Sequence, residues 1–316
     1  MSDLEKKHIV CLGGGIGTVN LIHGLREYAR RIEVVVSLAD EGGSAGRLRR
    51  LYGMPPVGDL ASCIAAMAKD DKTASLLRFR FPGDRYGKDE LLGGHKLGNL
   101  LLAAAYLETK SLSKAISQVQ ELVSAEGIFL TATQDAVSIE ADTEDGRHVI
   151  GEEKIDLGKY AGDRVLSHIS LMPKNPPAPE ETIEAIRKAD VIIAGPGDLY
   201  TPILPVLIVP EIMQAVKEST AKKIFIVNVA NKPFETKGYN VSDFVDAVTK
   251  HLNSFPFSLV LANNNTSFPI PKPYHYSYVP ISEINGARLV VADLIDEQFP
   301  LYHSQKKLAS CLVKEL

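Results

Sequence analysis

The chain has 316 residues, of which 45% are hydrophobic and 23% charged, with a formal net charge of −4. It is long enough to bury a sizeable core, and its composition is that of an ordinary globular protein. The slightly acidic balance argues against an electrostatic nucleic-acid binder, and no apolar stretch approaches the length of a membrane span.

The charged opening, residues 1–7, is not a signal peptide, so the expected location is cytoplasmic. His8-Ile9-Val10-Cys11-Leu12 predicts a first strand, and Gly13-Gly14-Gly15-Ile16-Gly17-Thr18 a tight turn into a helix. That helix carries Val19, Leu21, Ile22, Leu25 and Tyr28 on its apolar face. Backbone N–H groups and the positive end of a helix dipole converge there, which favours a phosphate; a plain strand-to-helix turn is the alternative. The loop lacks the third glycine of the dinucleotide fingerprint, because Thr18 stands in its place, and no Walker lysine follows. Cys11, Cys63 and Cys311 lack metal or disulfide spacing, and Cys11 in the first strand and Cys63 in a helical apolar pattern read as buried thiols.

Residues 32–38 predict a second strand, and helices are expected over 60–68, 97–107 and 114–123. Alternation over 136–141, a turn at 144–147, and further strands at 148–150 and 165–171 indicate a small β-rich insertion at about 128–172 within one domain. After a Pro-rich linker at 173–179 come a helix over 180–188 and buried strands at 190–194, 223–229 and 259–262. Continuous Val/Ile runs separated by helices predict a mainly parallel sheet covered on both faces.

Ligands in such sheets sit beyond the carboxyl ends of the strands, and the unusual residues collect in those loops. Asp40 suits a ribose hydroxyl contact, a divalent cation or turn formation; Gly42-Gly43-Ser44 resembles an anion nest; Arg47 can grip a phosphate. At least one of Arg49 and Arg50 reads as part of a solvated helix face. Gly195-Pro196-Gly197-Asp198 brings backbone close to a ligand or to a neighbouring loop. Thr201 offers a hydroxyl or a helix cap, and Asn228, inside a strand, needs a partner for its buried amide. His95 suits a base, a phosphate contact or a cap, and Asn99 lies near it at a helix start. No nucleophile–base pair or histidine metal spacing emerges, so binding is better supported than catalysis.

The chain resembles the YvcK-like branch of the CofD-like superfamily, known as gluconeogenesis factors. The resemblance rests on Gly13-Gly14-Gly15-Ile16-Gly17, residues 39–49, Pro56-Val57-Gly58-Asp59-Leu60, residues 79–84 and Gly94 to Leu100. Residues 195–201, Asn228-Val229 and Glu235-Thr236-Lys237-Gly238-Tyr239 complete it. It implies a three-layer α/β/α, Rossmann-like fold that binds a nucleotide sugar such as UDP-N-acetylglucosamine (UDP-GlcNAc), with roles in cell shape and carbon metabolism. By this resemblance the glycine loop (Gly13, Gly14, Gly15, Gly17 and Thr18) with Asp40, Gly43, Ser44 and Arg47 serves the phosphates. His95, Asn99, Gly197, Thr201 and Asn228 line the same cleft. No obligate cofactor is expected, with Asp40 the candidate ligand for Mg2+. A regulator without turnover, acting through a protein partner as a homo-oligomer, is expected; a magnesium-dependent transferase using a nucleotide diphosphate donor is the alternative. The family motif Asn-Val-x-Thr-Gln-Pro-Gly-Glu-Thr appears here as residues 228–236, with Lys232 at the glutamine. Tyr302 stands before His303 where an arginine is expected.

Overall fold

Period-two alternation in the central strands sorts their apolar side chains into two layers. The structure, a computed structural model, describes residues 3–84, 91–161, 165–271 and 275–316. Part of the late segment 263–280 and the first two residues of the charged opening lie outside them. The strands are β1 (His8–Leu12), β2 (Arg31–Val36), β3 (Ile128–Thr131), β4 (Ser138–Thr143), β5 (His148–Ile150) and β6 (Leu166–Met172). They continue with β7 (Val191–Ala194), β8 (Lys222–Ile226), β9 (Ala230–Asn231), β10 (Leu259–Asn263), β11 (Ser277–Tyr278) and β12 (Arg288–Ala292).

The helices are α1 (Gly15–Leu25), α2 (Gly43–Tyr52), α3 (Gly58–Ala66), α4 (Asp71–Arg78), α5 (Leu97–Thr109) and α6 (Leu112–Leu122). After them come α7 (Glu152–Asp156), α8 (Glu180–Lys188), α9 (Leu204–Leu207), α10 (Pro210–Glu218), α11 (Val241–Leu252) and α12 (Gln305–Glu315).

Seven strands form one parallel sheet in the order β12-β10-β8-β7-β1-β2-β3. Ile9, Cys11, Val34, Ile193, Ile226 and Leu261 face a layer built from α1 to α6 and α12. Val10, Leu12, Val35, Ile192, Phe225 and Val260 face α7 to α11 and the second sheet. Burial on both faces explains why these strands read as continuous Val/Ile runs, each such side chain contributing about 1.5–3 kcal/mol. The fold is the expected three-layer α/β/α, Rossmann-like arrangement.

Three local expectations change. The strand Ile128–Thr131 pairs in parallel with β2 and is the edge of the main sheet; the antiparallel β5-β4-β6 sheet begins only at Ser138. Residues 43–52 form a helix, although two glycines in the run give it low intrinsic propensity. Arg50 is the exposed arginine of that helix, whereas the Arg49 guanidinium donates to the Val137 carbonyl at 2.8 Å. Asn228 lies beyond the end of β8 rather than inside a strand, since pairing stops at Ile226.

The small sheet is tied to the main layers by His251 of α11. Its Nδ1–H donates to the Ala247 carbonyl at 2.7 Å and its Nε2 accepts the Ile169 amide at 3.0 Å. Burial pushes its pKa down to about 4, with a smaller opposing effect of the Ala247 hydrogen bond and further lowering by His168 and Lys250. Between about pH 6.5 and 4 the unfolded chain therefore binds the extra proton at this position. Stability from this group is full above pH 6.5 and is lost as pH falls toward 4. In His251→Gln the stability gap to the unmodified chain is expected to shrink by about 2–3 kcal/mol between pH 7 and pH 4. Urea titrations at the two pH values check this, and a constant gap would refute it.

Candidate functional site

The chain leaves β1 for β2 and β3 on one side of the sheet, then returns to β7 on the other side of β1. The loops after β1 and β7 therefore diverge at a topological switch point, where open parallel sheets bind ligands. Gly14, the residue before α1, offers no side-chain cap, so the first amides of that helix remain available to a ligand.

The glycines divide their roles. A Cβ on Gly17 would lie 2.3 Å from the Pro196 carbonyl oxygen, so Gly17 lets the two loops pack together. Gly15 has φ +68 and nothing within 4 Å of an added Cβ; it faces open space. Gly13 and Gly14 lie against Thr18 and Asp59, and the Thr18 hydroxyl donates to the Pro196 carbonyl at 3.4 Å. Asn228 Oδ1 accepts the Gly197 amide at 3.1 Å, which fixes the β7 loop to the β8 loop.

Two clefts meet at this point, sharing Gly15, Asp156, Asp198 and Pro202. The larger, about 530 Å³, is lined by Ile16, Gly17, Gly197, Asn228, Lys232, Phe234, Tyr276, Tyr302 and His303, among others. The smaller, about 140 Å³, is lined by Ser37, Asp40, Gly42, Asp59, Glu152, Glu153 and Thr201 in addition to the shared residues. No lysine or arginine is among the described residues lining the smaller cleft.

Asp40 Oδ1 accepts the Gly42 amide at 2.8 Å, so this aspartate both shapes its turn and faces the smaller cleft. Thr201 belongs to a five-residue π-helical turn, Leu199–Ile203, and donates its hydroxyl to Glu235 at 3.2 Å. Glu235 also accepts the Tyr200 amide at 3.2 Å.

Ser44, Arg47, His95 and Asn99 are brought together, but not into the lining of either cleft. Ser44 Oγ lies 2.9 Å from His95 Nδ1 and accepts from Asn99 Nδ2 at 3.1 Å and from the Lys96 amide at 3.3 Å. With two N–H groups donated to it, the hydroxyl gives its own proton to a neutral His95. Burial lowers the His95 pKa, and the Arg47 and Arg80 charges lower it further. Arg47 donates to the Gly93 carbonyl at 2.5 Å and is buried. Gly43, at φ +50, opens α2 beside this cluster.

The electrostatics of the clefts are set by carboxylates. Burial raises the Glu152 pKa well above the usual range, and the Asp40 and Asp156 charges add to it against the pull of Lys232. A carboxyl so placed must bind a proton or share a cation. Carboxylate oxygens are donors for a hard ion such as Mg2+, and Asp40 and Glu152 both line the smaller cleft. Burial likewise lowers the His303 pKa to about 4, partly offset by a hydrogen bond to the Val227 backbone. His303 Nε2 is buried with no hydrogen-bond partner among the described residues, leaving a free acceptor in a residue of the larger cleft's wall.

Reasoning from the sequence did not single out Glu152, Glu153, Asp156, Lys232 or Glu235 as site residues. Asp59, Asp198 and Glu235 lay in quoted motifs, and the acidic start of α7 was the remaining signal. That helix follows β5, so the insertion supplies one wall of the smaller cleft. No single helix among the described residues is long and apolar enough to cross a membrane.

The family described as 2-phospho-L-lactate transferase CofD matches residues 9–298. A Bacillus subtilis protein named gluconeogenesis factor is 35% identical over 319 residues, which are 98% of this chain and 98% of that one. A Deinococcus radiodurans relative is 35% identical over 312 residues, 97% of this chain but 65% of its own length, so the chain spans about two thirds of that protein. The crystal structure of a Bacillus halodurans protein of the UPF0052 family superposes with a TM-score of 0.88 at 32% identity, covering 97% of this chain and 99% of that one. With the glycine loop, the smaller cleft and most of the larger cleft inside the matched residues, the chain belongs to the CofD family, and its relatives include proteins named gluconeogenesis factor.

Proposed function

We propose that this chain is a regulatory protein that binds a nucleoside-diphosphate sugar of the UDP-GlcNAc type, without turning it over. The carrying observation is the meeting of an uncapped helix amino end with two joined clefts of opposite character at the switch point. The diphosphate would lie over the amino end of α1, where N–H groups and dipole favour an anion. The larger cleft has the size of a small-ligand site, and Phe234, Tyr276 and Tyr302 give it aromatic surface for a base or sugar. Mg2+ at Asp40 would offset the phosphate charge against the carboxylates of the smaller cleft. The name of the Bacillus subtilis relative supports a role connected with gluconeogenesis, and a link to cell shape is part of the same proposal.

The family's transferase description, together with the acidic cleft, favours a second reading in which a nucleotide diphosphate donor is consumed with Mg2+. A thermal-shift panel of UDP-GlcNAc, GDP-linked donors and NAD, with and without Mg2+, tests both. Stabilisation by UDP-GlcNAc, with the sugar nucleotide recovered intact, is the expected result. Stabilisation by NAD alone would overturn both readings, and loss of a GDP-linked donor on incubation would establish the second.

A further inference from the structure

The wall shared by the two clefts holds a cage of three carboxylates from separate parts of the chain. Asp156 comes from α7, Asp198 from the loop after β7, and Glu235 from the loop after β9. One oxygen from each lies within 4.8 Å of the other two. Three carboxylate oxygens this close together form a set of hard donors suited to one divalent cation such as Ca2+.

The cage already contains a cation. The Lys232 ammonium bonds Asp156, and reaches Asp198 Oδ2 at 2.8 Å and Glu235 Oε1 at 3.0 Å. Lys232 is only 8% exposed and Glu235 is fully buried. Glu235 is also held from outside the cage, by the Tyr200 amide and the Thr201 hydroxyl. The lysine backbone is held by its own turn, where the Lys232 amide donates to Thr236 Oγ1 at 3.1 Å and the Thr236 amide returns to the Lys232 carbonyl at 3.1 Å. Both the oxygens and the stem of the lysine are thus fixed independently of each other.

We propose that Lys232 is a specificity-determining residue whose ammonium takes the place of a divalent cation in the Asp156–Asp198–Glu235 cage. The lysine then offsets part of the negative charge of the cage beside the larger cleft without a metal at that point, which lowers the repulsion of an anion there. Any divalent ion is confined to the neighbouring Asp40 group. Three ammonium protons satisfy three carboxylates, so the cage is closed to ions as long as the lysine is present. Glutamine at this position removes the charge and opens the cage.

The cation half of this inference stands alone, whereas the anion half rests on the nucleotide reading. Calorimetric titration of Ca2+ into the unmodified chain, Lys232→Gln, Glu235→Gln and the double variant separates them. Lys232→Gln is expected to bind one more Ca2+ per chain than the unmodified protein, the double variant to lose that ion, and Glu235→Gln alone to leave Ca2+ binding unchanged. Ca2+ should also raise the Tm of Lys232→Gln more than that of the parent. Equal stoichiometry in a folded Lys232→Gln overturns the proposal. If that variant does not fold, loss of a Ca2+ from the parent on Glu235→Gln overturns it instead. In EDTA, UDP-GlcNAc affinity should fall about tenfold in Lys232→Gln and recover with Ca2+. Absence of UDP-GlcNAc binding by the parent would refute the nucleotide reading and leave the Ca2+ result to decide the cage.

Discussion

Gly17→Ala is expected to lower the unfolding free energy by about 3 kcal/mol and to abolish nucleotide binding. The new methyl group would sit 2.3 Å from the Pro196 carbonyl oxygen and 2.9 Å from the Gly197 nitrogen. Both are backbone atoms, so no side chain can swing aside to make room. The loop after β7 must move instead, and Asn228, which accepts the Gly197 amide, moves with it. The two walls of the switch point then separate, and the larger cleft loses its shape. Gly15→Ala is the matching control. Nothing lies within 4 Å of its added methyl, and the cost is confined to the φ of +68, about 1–2 kcal/mol. Denaturant midpoints for the two variants check the order, and a Gly17→Ala midpoint equal to that of the parent would show that the loops do not pack as described.

Asp40→Asn is expected to weaken nucleotide-sugar binding about 10- to 100-fold in Mg2+, the range for losing a charge-assisted contact. The amide retains the oxygen that accepts from the Gly42 N–H, so the turn survives. What disappears is one negative charge beside Glu152, whose raised pKa already reflects crowding by Asp40 and Asp156 after burial. In EDTA the same substitution should change affinity little or improve it, because a phosphate then meets one carboxylate fewer. Binding isotherms in Mg2+ and in EDTA give the comparison. An equal loss under both conditions would remove the metal from Asp40.

Five strands of the main sheet and five of the helices (α1, α3, α5, α6 and α8) were legible because they depend on local patterns. Val191 to Ala194 and Leu259 to Ala262 are continuous apolar runs, and such runs are buried on both faces of a parallel sheet. The helix over 180–188 was legible from its acidic start and basic end, which complement the helix dipole. α2 was not legible. Gly43 and Gly46 disfavour a helix, and this one is held by contacts made elsewhere. The Glu41 carbonyl lies 1.8 Å from where a Gly46 side chain would begin, Leu48 is buried in the core, and Arg49 reaches Val137.

The same limit applied to the site. Ser44, Arg47, His95 and Asn99 have the residue types of an anion site, yet they bond mainly to one another and to backbone. Lys232, by contrast, looked like a departure from a motif, and becomes the counter-ion of three carboxylates.

By itself the sequence determined the class of fold, the position of the glycine loop and the strand ends at which a ligand could gather. Those features follow from periodicity, turn chemistry and short motifs, which act over a few residues at a time. Only the tertiary structure decided which glycine makes room for backbone and which faces the cleft. It also decided that α7 of the insertion sets Glu152 and Asp156 opposite Asp40 and Asp198. Sheet order and crossover connections bring residues from distant segments within a few ångströms, and at that range burial and neighbouring charge set whether a carboxyl holds a proton, a lysine or a metal.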